Sequence, residues 1–309
     1  MLRYILTRIL YAIVTLFVIA TLTFLIMKAL PGNPFMDPKI KPEVREALMK
    51  RYDLDKPVMV QYVNYMKNLL KGDLGTSMRT PGRSVTQIIR ETFPKSFALG
   101  WRAMVIAVVF GLLLGIIAAL NHQGIGDYIA ITIAIIGVSV PSIILGPLLA
   151  YILGVELGWF PVTVDKTQWS LVLPSITLAL GSVALISRLM RSTTLEVLGQ
   201  DYISTAKAKG LSKFQVVTRH VIRNAIMPVV TVMGPLFAAL ITGSIVIEQI
   251  FAVAGLGRYF VQTIFSRDYP MIMGITIFYA ALIILSILIV DLAYGFIDPR
   301  LRVGKRGGE

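Results

Sequence analysis

Residues 9–29 read ILYAIVTLFVIATLTFLIMKA and contain a single charged side chain, Lys28. A helix that crosses a bilayer needs about 20 mostly apolar residues, so this stretch predicts a membrane-spanning helix. A secretory signal has an apolar region of only about 7–15 residues, followed by a small-residue cleavage site. This stretch is longer and continues into Leu30-Pro31-Gly32-Asn33-Pro34 without such a site, which favours a retained span.

The composition of the whole chain agrees with this apolar stretch. Of 309 residues, 56% are apolar and 15% are charged, whereas an average soluble domain is about 45–50% apolar and about 25% charged. An ordinary soluble or disordered protein is therefore excluded. The chain has no cysteine and only two histidines, His122 and His220. Cysteine chemistry is excluded, and little remains for metal binding or acid–base catalysis.

Five further apolar stretches are long enough to span a bilayer: residues 98–120, 129–153, 171–190, 227–249 and 271–294. We therefore predict an all-α membrane protein with six transmembrane helices and both termini on one side. Within 129–153, Pro141 and Pro147 predict kinks. The stretch 171–190 is the least apolar, and such a span is tolerated when it packs against protein rather than lipid. The residues that interrupt it are Pro174, Thr177, Gly181, Ser182 and Arg188.

The distribution of Lys and Arg predicts the orientation of these spans. Thirteen basic residues fall at the N-terminus, within 188–223 and in the tail 300–309, whereas the connections 154–170 and 250–270 carry three. Cytoplasmic loops accumulate Lys and Arg, so both termini are predicted to be cytoplasmic. Topology then explains the net charge of +13 without nucleic acid.

The spans divide the chain into three parts. Residues 1–30 form the first transmembrane helix, 31–96 an extracytoplasmic helical loop, and 97–309 a five-helix core. The core includes a cytoplasmic loop at 191–227 and a basic tail at 295–309.

The extracytoplasmic loop is predicted to contain two helices. They are Pro42–Tyr52 and Pro57–Lys71, each beginning with Pro, which suits the first helical turn. Gly72 supplies a favoured C-terminal stop.

The polar residues of the spans offer few chemical functions. Glu248 and Asp291 are the only acids within predicted spans, which is thin support for an ion-coupled carrier. Glu248 lies near the outer end of its span and could simply meet water. A phosphate-binding loop is missing, because the single Gly-Lys pair, Gly304-Lys305, lacks the required context. An intramembrane protease would need a nucleophile beside a base, which the two cytoplasmic-edge histidines do not supply.

Small polar residues in the spans are candidates for a translocation path. Most such residues serve helix packing, and the sequence does not separate the two roles. The candidates are Ser139, Ser142, Ser182, Ser244 and Glu248.

The cytoplasmic segment 191–227 carries the clearest local signals. Asp201 is predicted to cap a short helix, Tyr202–Lys209, and Gly210 to end it in a left-handed conformation. Ser212 and Gln215 have the spacing of a capping box for a second helix.

The two helices of this segment have different surfaces. In the second helix, Phe214, Val217, Val221 and Ala225 share one face, and Lys213, Arg219, His220 and Arg223 share another. The first is rich in small residues, which would let it sit deep in a partner's groove; these are Ser204, Thr205, Ala206 and Ala208. The alternative is a basic interfacial helix on anionic lipid.

At this segment the sequence resembles a known family. Residues 201–212, DYISTAKAKGLS, followed by Arg219-His220 and Arg223-Asn224-Ala225, are similar to the EAA loop of ABC importer permeases. The closer resemblance is to the dipeptide/oligopeptide group and its B-type subunit. Further stretches that agree are Gly72-Asp73-Leu74-Gly75, Gly255-Leu256-Gly257, Arg267-Asp268-Tyr269-Pro270 and Asp298-Pro299-Arg300. Ser204-Thr205-Ala206 replaces the general Glu-Ala-Ala, which is usual in the peptide group.

The resemblance implies a non-catalytic transmembrane subunit of an ATP-driven importer in a prokaryotic plasma membrane. Its partners would be the lipid bilayer, a second homologous permease subunit, two cytoplasmic ATPase subunits and an extracytoplasmic peptide-binding protein. ATP and Mg would bind to the ATPases, and this chain would hold no cofactor and no metal. The cargo would be peptides; alternatives are nickel chelate, glutathione or another small solute.

The same resemblance implies which residues couple ATP hydrolysis to transport by alternating access. They are Asp201, Tyr202, Ser204, Thr205, Ala206, Lys207, Ala208, Lys209, Gly210, Leu211, Ser212, Arg219, His220 and Arg223.

Overall fold

A computed structural model describes residues 2–29, 35, 41–164, 167–242 and 245–297. Within these ranges the secondary structure is helical, apart from one isolated bridge between Thr76 and Ser84. The α-helices are α1 (Leu2–Ala29), α2 (Pro42–Arg51), α3 (Val58–Leu70), α4 (Val85–Leu120), α5 (Ile125–Ser139), α6 (Ser142–Leu149), α7 (Val172–Leu198), α8 (Asp201–Ala208), α9 (Lys213–Val216), α10 (Ile222–Ala225), α11 (Met227–Ile241), α12 (Ile245–Ile250), α13 (Leu256–Ser266) and α14 (Tyr269–Ile297). Two π-helical turns, Ala150–Glu156 and Val217–Val221, and a 3-10 turn, Gln168–Leu171, complete the set.

The number of membrane spans agrees with the prediction. Five helical stretches have the length and apolar character to cross a bilayer: Ile5–Ala29, Val85–Leu120, Trp169–Leu198, Met227–Ile250 and Tyr269–Ile289. The bent pair Ile125–Ser139 and Ser142–Glu156 brings the number to six when it is counted as one span.

The bent pair turns through 111° between α5 and α6. Val140 ends α5 in an extended conformation, and Pro141 occupies the N-cap of α6. Proline removes one hydrogen bond from the helical ladder and favours an extended conformation of the residue before it, as observed at Val140. The kink predicted at Pro141 is therefore confirmed, whereas Pro147 lies inside α6, which continues past it.

Helix α4 begins earlier than the apolar pattern indicates. Residues 85–96 belong to its first turns, although the sequence assigns them to the loop 31–96. Their apolar side chains are buried in a cluster that includes Val85, Ile88 and Met271. The polar residues Arg90 and Glu91 on the other side lower the local hydropathy, which hides this part of the helix.

The described chain forms two compact units. The first comprises Met1–Pro94 and Gly255–Ile284, and the second Lys95–Ala254 with the residues from Leu285 onward. The first contains the two predicted loop helices as α2 and α3, but Pro57 is the N-cap of α3 and not its first helical residue. Gly72, the predicted stop, follows the end of α3 with φ +76°.

Helix α7 lies at the centre of the second unit. Its residues Ile186 and Met190 are fully buried against Ala103 and Ala107 of α4. The two helices approach closely because α4 carries glycine at the contact. A Cβ atom added to Gly115 would lie 2.7 Å from the Met190 Cβ atom and 2.7 Å from the Ser187 carbonyl oxygen.

Candidate functional site: the loop between α7 and α11

The first helix of the loop, α8, begins one residue earlier than predicted. Gln200 occupies the N-cap in an extended conformation without a side-chain cap hydrogen bond, and Asp201 is the first helical residue. The predicted N-cap role of Asp201 is therefore wrong. A carboxylate in the first turn still interacts favourably with the helix dipole, which explains why an acid suits either position.

The predicted stop of α8 is confirmed. Gly210 adopts a left-handed conformation with φ +80°, and its N–H donates to the Lys207 carbonyl oxygen at 3.0 Å. Glycine adopts this conformation without steric cost, whereas a side chain would be strained there.

The predicted capping box is also present. The Gln215 N–H donates to Ser212 Oγ at 3.3 Å, and the Ser212 N–H donates to Gln215 Oε1 at 3.0 Å. Helix α9, the π-helical turn and α10 then follow without interruption as one helical segment.

An apolar cluster inside the loop fixes α8 to the following helix. Ile203 and Ala206 of α8 are buried with Val216 and Val221 of the second segment. The Asn224 side-chain amide also donates to the Tyr202 hydroxyl at 3.2 Å. Ala206 therefore faces its own chain and is not part of the free surface of α8. The exposed residues of α8 are Asp201, Tyr202, Ser204, Thr205, Lys207 and Ala208.

The faces of the second segment differ in one position from the prediction. Val217, Val221 and Ala225 are buried as expected, but Phe214 is 77% exposed and Val216 is buried instead. The π-helical turn inserts an extra residue, so side chains before it rotate relative to those after it. The basic face is confirmed for Lys213, Arg219 and Arg223, which are exposed, while His220 is half-buried; Lys209, Gly210 and Ser212 are exposed and Leu211 is half-buried.

The candidate path residues lie in different environments. Ser139 and Ser142 are exposed on either side of the bend between α5 and α6. Ser182 is buried on α7. Glu248 is fully buried, so the expectation that it could simply meet water is wrong, and it accepts a hydrogen bond from Ser96 Oγ at 2.6 Å. Ser244 lies outside the described residues.

Some sequence motifs also fall outside the described part of the chain. These are Leu30-Pro31-Gly32-Asn33-Pro34 and Asp298-Pro299-Arg300, together with most of the basic tail. Asp268 of the Arg267-Asp268-Tyr269-Pro270 motif is described. Its carboxylate is buried and accepts hydrogen bonds from the Ser77 hydroxyl and from the Met78 N–H, the latter at 3.1 Å.

Sequence reasoning missed one charged contact. In the sequence Arg191 is only one of seven basic residues within 188–223, and Asp127 lies 64 positions before it. In the structure the two side chains form an ion pair with an N–O distance of 2.6 Å. No local pattern signals a contact over this separation.

The described residues thus form five or six candidate membrane spans, one of them bent, with a capped helical loop between α7 and α11. The chain matches the family model "Binding-protein-dependent transport system inner membrane component" over residues 111–303. The model of the corresponding N-terminal part matches residues 1–100. The chain belongs to this family of permeases.

Curated relatives match over nearly the full length. The dipeptide transport system permease protein DppB of Bacillus subtilis (strain 168) is 47% identical, covering 99% of this chain and 100% of the relative. The oligopeptide transport system permease protein OppB of Haemophilus influenzae is 40% identical, covering 98% and 100%. The resemblance to dipeptide and oligopeptide permeases is therefore confirmed.

Solved structures support the fold. The inward-facing MetNI methionine ABC transporter has a chain that matches with a TM-score of 0.52 at 20% identity, covering 72% of this chain and 98% of that chain. An amino acid ABC transporter solved with histidines matches with a TM-score of 0.50 at 17% identity, covering 70% and 94%.

Proposed function

We propose that this permease conducts peptides into the cytoplasm as one subunit of an ATP-driven importer in a prokaryotic plasma membrane. A second homologous permease, two ATPase subunits and an extracytoplasmic peptide-binding protein complete the complex. The ATPases bind ATP and Mg, and both termini of this chain are cytoplasmic. The names of the full-length relatives support peptides as cargo over nickel chelate, glutathione or another small solute.

The construction of the cytoplasmic loop carries this proposal. Helix α8 ends at Gly210, and the capping box at Ser212 starts the next helix directly after it. Ile203 and Ala206 pack α8 against that helix. A short helix fixed in this way can transmit a displacement without changing its own conformation. Its outward surface is polar and small, with Ser204 and Thr205 exposed, which suits close approach of a partner protein.

The same packing argues against the lipid-surface alternative. A helix that lies on a membrane must present an apolar face to the acyl chains. The apolar side chains Ile203, Val216 and Val221 are already covered by their own chain. Phe214 is 77% exposed and Tyr202 is 43% exposed, so Phe214 is the more exposed of these two aromatic residues of the loop. Exposed aromatic residues beside a polar surface are typical anchors of protein interfaces.

In the proposed cycle, closure of the ATPase pair moves α8, and the spans rock between two arrangements around a central path. A ligand can shift such a two-state equilibrium only through its different affinities for the two states. Ser139 and Ser142, at the bend, are the exposed members of the candidate path. Ser182 and Glu248 are buried within this chain, so they would face the path only after a rearrangement.

Replacing the exposed aromatic of the loop tests ATPase docking. Phe214→Ala removes a side chain that is 77% exposed, so folding should be unaffected. We expect co-purification of the ATPase subunits with the tagged chain to fall about tenfold, which corresponds to about 1.4 kcal/mol of lost binding free energy. Phe265→Ala, at a side chain 85% exposed on α13, is the matched control and should retain the ATPases.

Ser204→Trp provides an independent steric test on α8. This variant should lose co-purified ATPase subunits to the same extent as Phe214→Ala, while it still inserts normally into the membrane. ATPase retention at the wild-type level in both Phe214→Ala and Ser204→Trp would show that the partner docks elsewhere.

A further inference from the structure

A charged cluster joins the beginning of α5 to α7. Arg191 donates from Nε to Asp127 Oδ1 at 2.6 Å and from Nη2 to Asp127 Oδ2 at 2.7 Å. The Gln123 N–H donates to Asp127 Oδ2 at 3.0 Å. His122 Nδ1 lies 3.2 Å from Arg191 Nη2 and 3.4 Å from Asp127 Oδ2. The cluster therefore ties the turn between α4 and α5 to α7 through one carboxylate.

The geometry makes this contact specific. Two parallel N–H donors of a guanidinium on one carboxylate fix direction as well as distance. The Asp127 side chain is 4% exposed and that of Arg191 is 24% exposed. Removing one partner of a buried pair leaves the other charge uncompensated, so the pair resists separation of the two helices.

A second contact holds the other end of α5 against α7. A Cβ atom added to Gly137 would lie 2.8 Å from the Leu180 carbonyl oxygen. Ala134 and Ala130, about one and two turns before Gly137, are buried small residues of α5. Small residues let two helix backbones approach closely within a membrane. Helices α5 and α7 are thus fixed at both ends of their contact.

The joined helices lie between two functional elements. Helix α7 ends at Leu198 and leads through Gly199 and Gln200 directly into α8. At the opposite end of the pair, α5 ends at the 111° bend between Ser139 and Ser142. Pro141 interrupts the backbone hydrogen bonding at this bend, which makes it the natural hinge.

We infer that Asp127 and Arg191 are positioning residues for transport. They join α5 to α7, so that a movement of α8 reaches the hinge at Val140–Pro141 as a displacement of one rigid pair. The inference rests on the proposed function, because it assigns α8 as the element that the ATPases move. It adds a defined connection, through one ion pair and one glycine contact, between the cytoplasmic loop and the bent span.

Transport stoichiometry tests the connection in the complete complex. The probe is labelled alanyl-alanine, imported into proteoliposomes that hold the tagged chain with its co-purified partners. We expect Asp127→Asn and Arg191→Gln each to lower the peptide imported per ATP hydrolysed at least fivefold, with ATPase subunits still bound. Arg191→Lys retains the charge without the bidentate geometry and should fall between these variants and wild type.

A charge exchange separates positioning from simple loss of charge. The double variant Asp127→Arg with Arg191→Asp should recover at least half of the wild-type stoichiometry. Arg188→Gln, at an exposed arginine one turn earlier on α7, is the control and should match wild type. Wild-type stoichiometry in Asp127→Asn and Arg191→Gln would overturn the inference. Absence of import by the wild-type complex would instead contradict the proposed function.

Distance measurements provide a readout that does not depend on import. The sequence contains no cysteine, so this chain adds no background labelling when cysteines introduced at the exposed positions Ile129, Leu148 and Leu185 carry spin labels. The distance between labels at Ile129 and Leu185 should stay constant when a nucleotide is trapped, while the distance between Ile129 and Leu148 should change. In Asp127→Asn, the distribution of distances between the labels at Ile129 and Leu185 should become broader. A wild-type distribution in that variant would overturn the rigid-pair mechanism.

Discussion

The first span and the span containing α7 are both long enough to cross a bilayer, yet their surroundings differ strongly. In the most apolar window of Ile5–Ala29, 11% of the residues are buried, against 61% for Trp169–Leu198. The more apolar span is the more exposed one. In a membrane, large apolar side chains are suited to contact with lipid. Surfaces where helices pack closely are instead enriched in small and polar residues. In this pair of spans, the lower hydropathy accompanies the greater contact with protein.

Two polar residues of α7 can be buried because their hydroxyls donate to backbone carbonyl oxygens four residues earlier in the same span. Ser175 Oγ donates to the Leu171 carbonyl oxygen at 2.6 Å. Thr177 Oγ1 donates to the Leu173 carbonyl oxygen at 2.9 Å. Such bonds remove most of the cost of burying a hydroxyl in an apolar environment. The polar residues that weaken the hydropathy signal of α7 are thus compatible with a span.

The largest expected effect comes from adding bulk where α4 meets α7. Gly115→Leu would place atoms inside the Met190 side chain and the Ser187 carbonyl. We expect a loss of at least about 3 kcal/mol in the free energy of unfolding, the upper end of the cost of overpacking. Unfolding in mixed micelles of mild detergent and SDS, followed by tryptophan fluorescence, measures it.

Leu113→Phe is the control for this experiment. Leu113 lies on the same helix and is 52% exposed, so added bulk meets no protein. The variant should unfold like wild type. Equal destabilisation by Gly115→Leu and Leu113→Phe would contradict this interpretation. It would mean that contact with protein does not determine how much an added side chain lowers the free energy of unfolding.

A matched pair of isoleucines gives the next largest effect. Ile186 on α7 is fully buried, whereas Ile13 on α1 is 59% exposed. Ile186→Ala should lower the free energy of unfolding by about 2 kcal/mol, the low end of the range for large-to-alanine changes in a packed core. Ile13→Ala should stay within about 0.5 kcal/mol, as for substitutions away from packed sites. The same micelle titration checks both, and similar losses at the two sites would remove the distinction between the spans.

The sequence predicts features whose causes are local. The six spans follow from composition within single stretches, and the Gly210 stop and the Ser212–Gln215 capping box follow from backbone chemistry over a few residues. The bend at Pro141 follows from a missing N–H group. These features need no knowledge of distant contacts, which explains why the fold class and the two-helix loop between α7 and α11 could be recognised.

Features set by packing could not be predicted in the same way. Ala206 of the eight-residue helix α8 is buried and Ala208 is exposed, yet the two side chains are identical. Phe214 is exposed because a π-helical turn changes the register, and no sequence signal marks that turn. The Asp127–Arg191 pair joins residues 64 positions apart. Such contacts depend on how helices cross, and a single sequence does not encode this in a readable pattern.

The smallest expected effect is the difference between two neighbouring threonines of α7, which differ in hydrogen bonding. Thr193 Oγ1 donates to the Ala225 carbonyl oxygen at 2.8 Å and thereby joins α7 to α10. The buried hydroxyl of Thr194 has no hydrogen-bond partner among the described residues. Valine has nearly the shape of threonine, so the two Thr→Val variants differ mainly in the hydrogen bond that is lost.

Thr193→Val should therefore lower the free energy of unfolding by about 1 kcal/mol, the typical net value of one hydrogen bond. Thr194→Val should leave it unchanged or raise it slightly, because an unpaired buried hydroxyl is exchanged for a methyl group. Parallel micelle titrations of both variants measure the difference. A loss of about 1 kcal/mol in Thr194→Val as well would mean that its hydroxyl is satisfied in the assembled membrane protein. The low hydropathy of α7 would then reflect polar contacts beyond those within this chain.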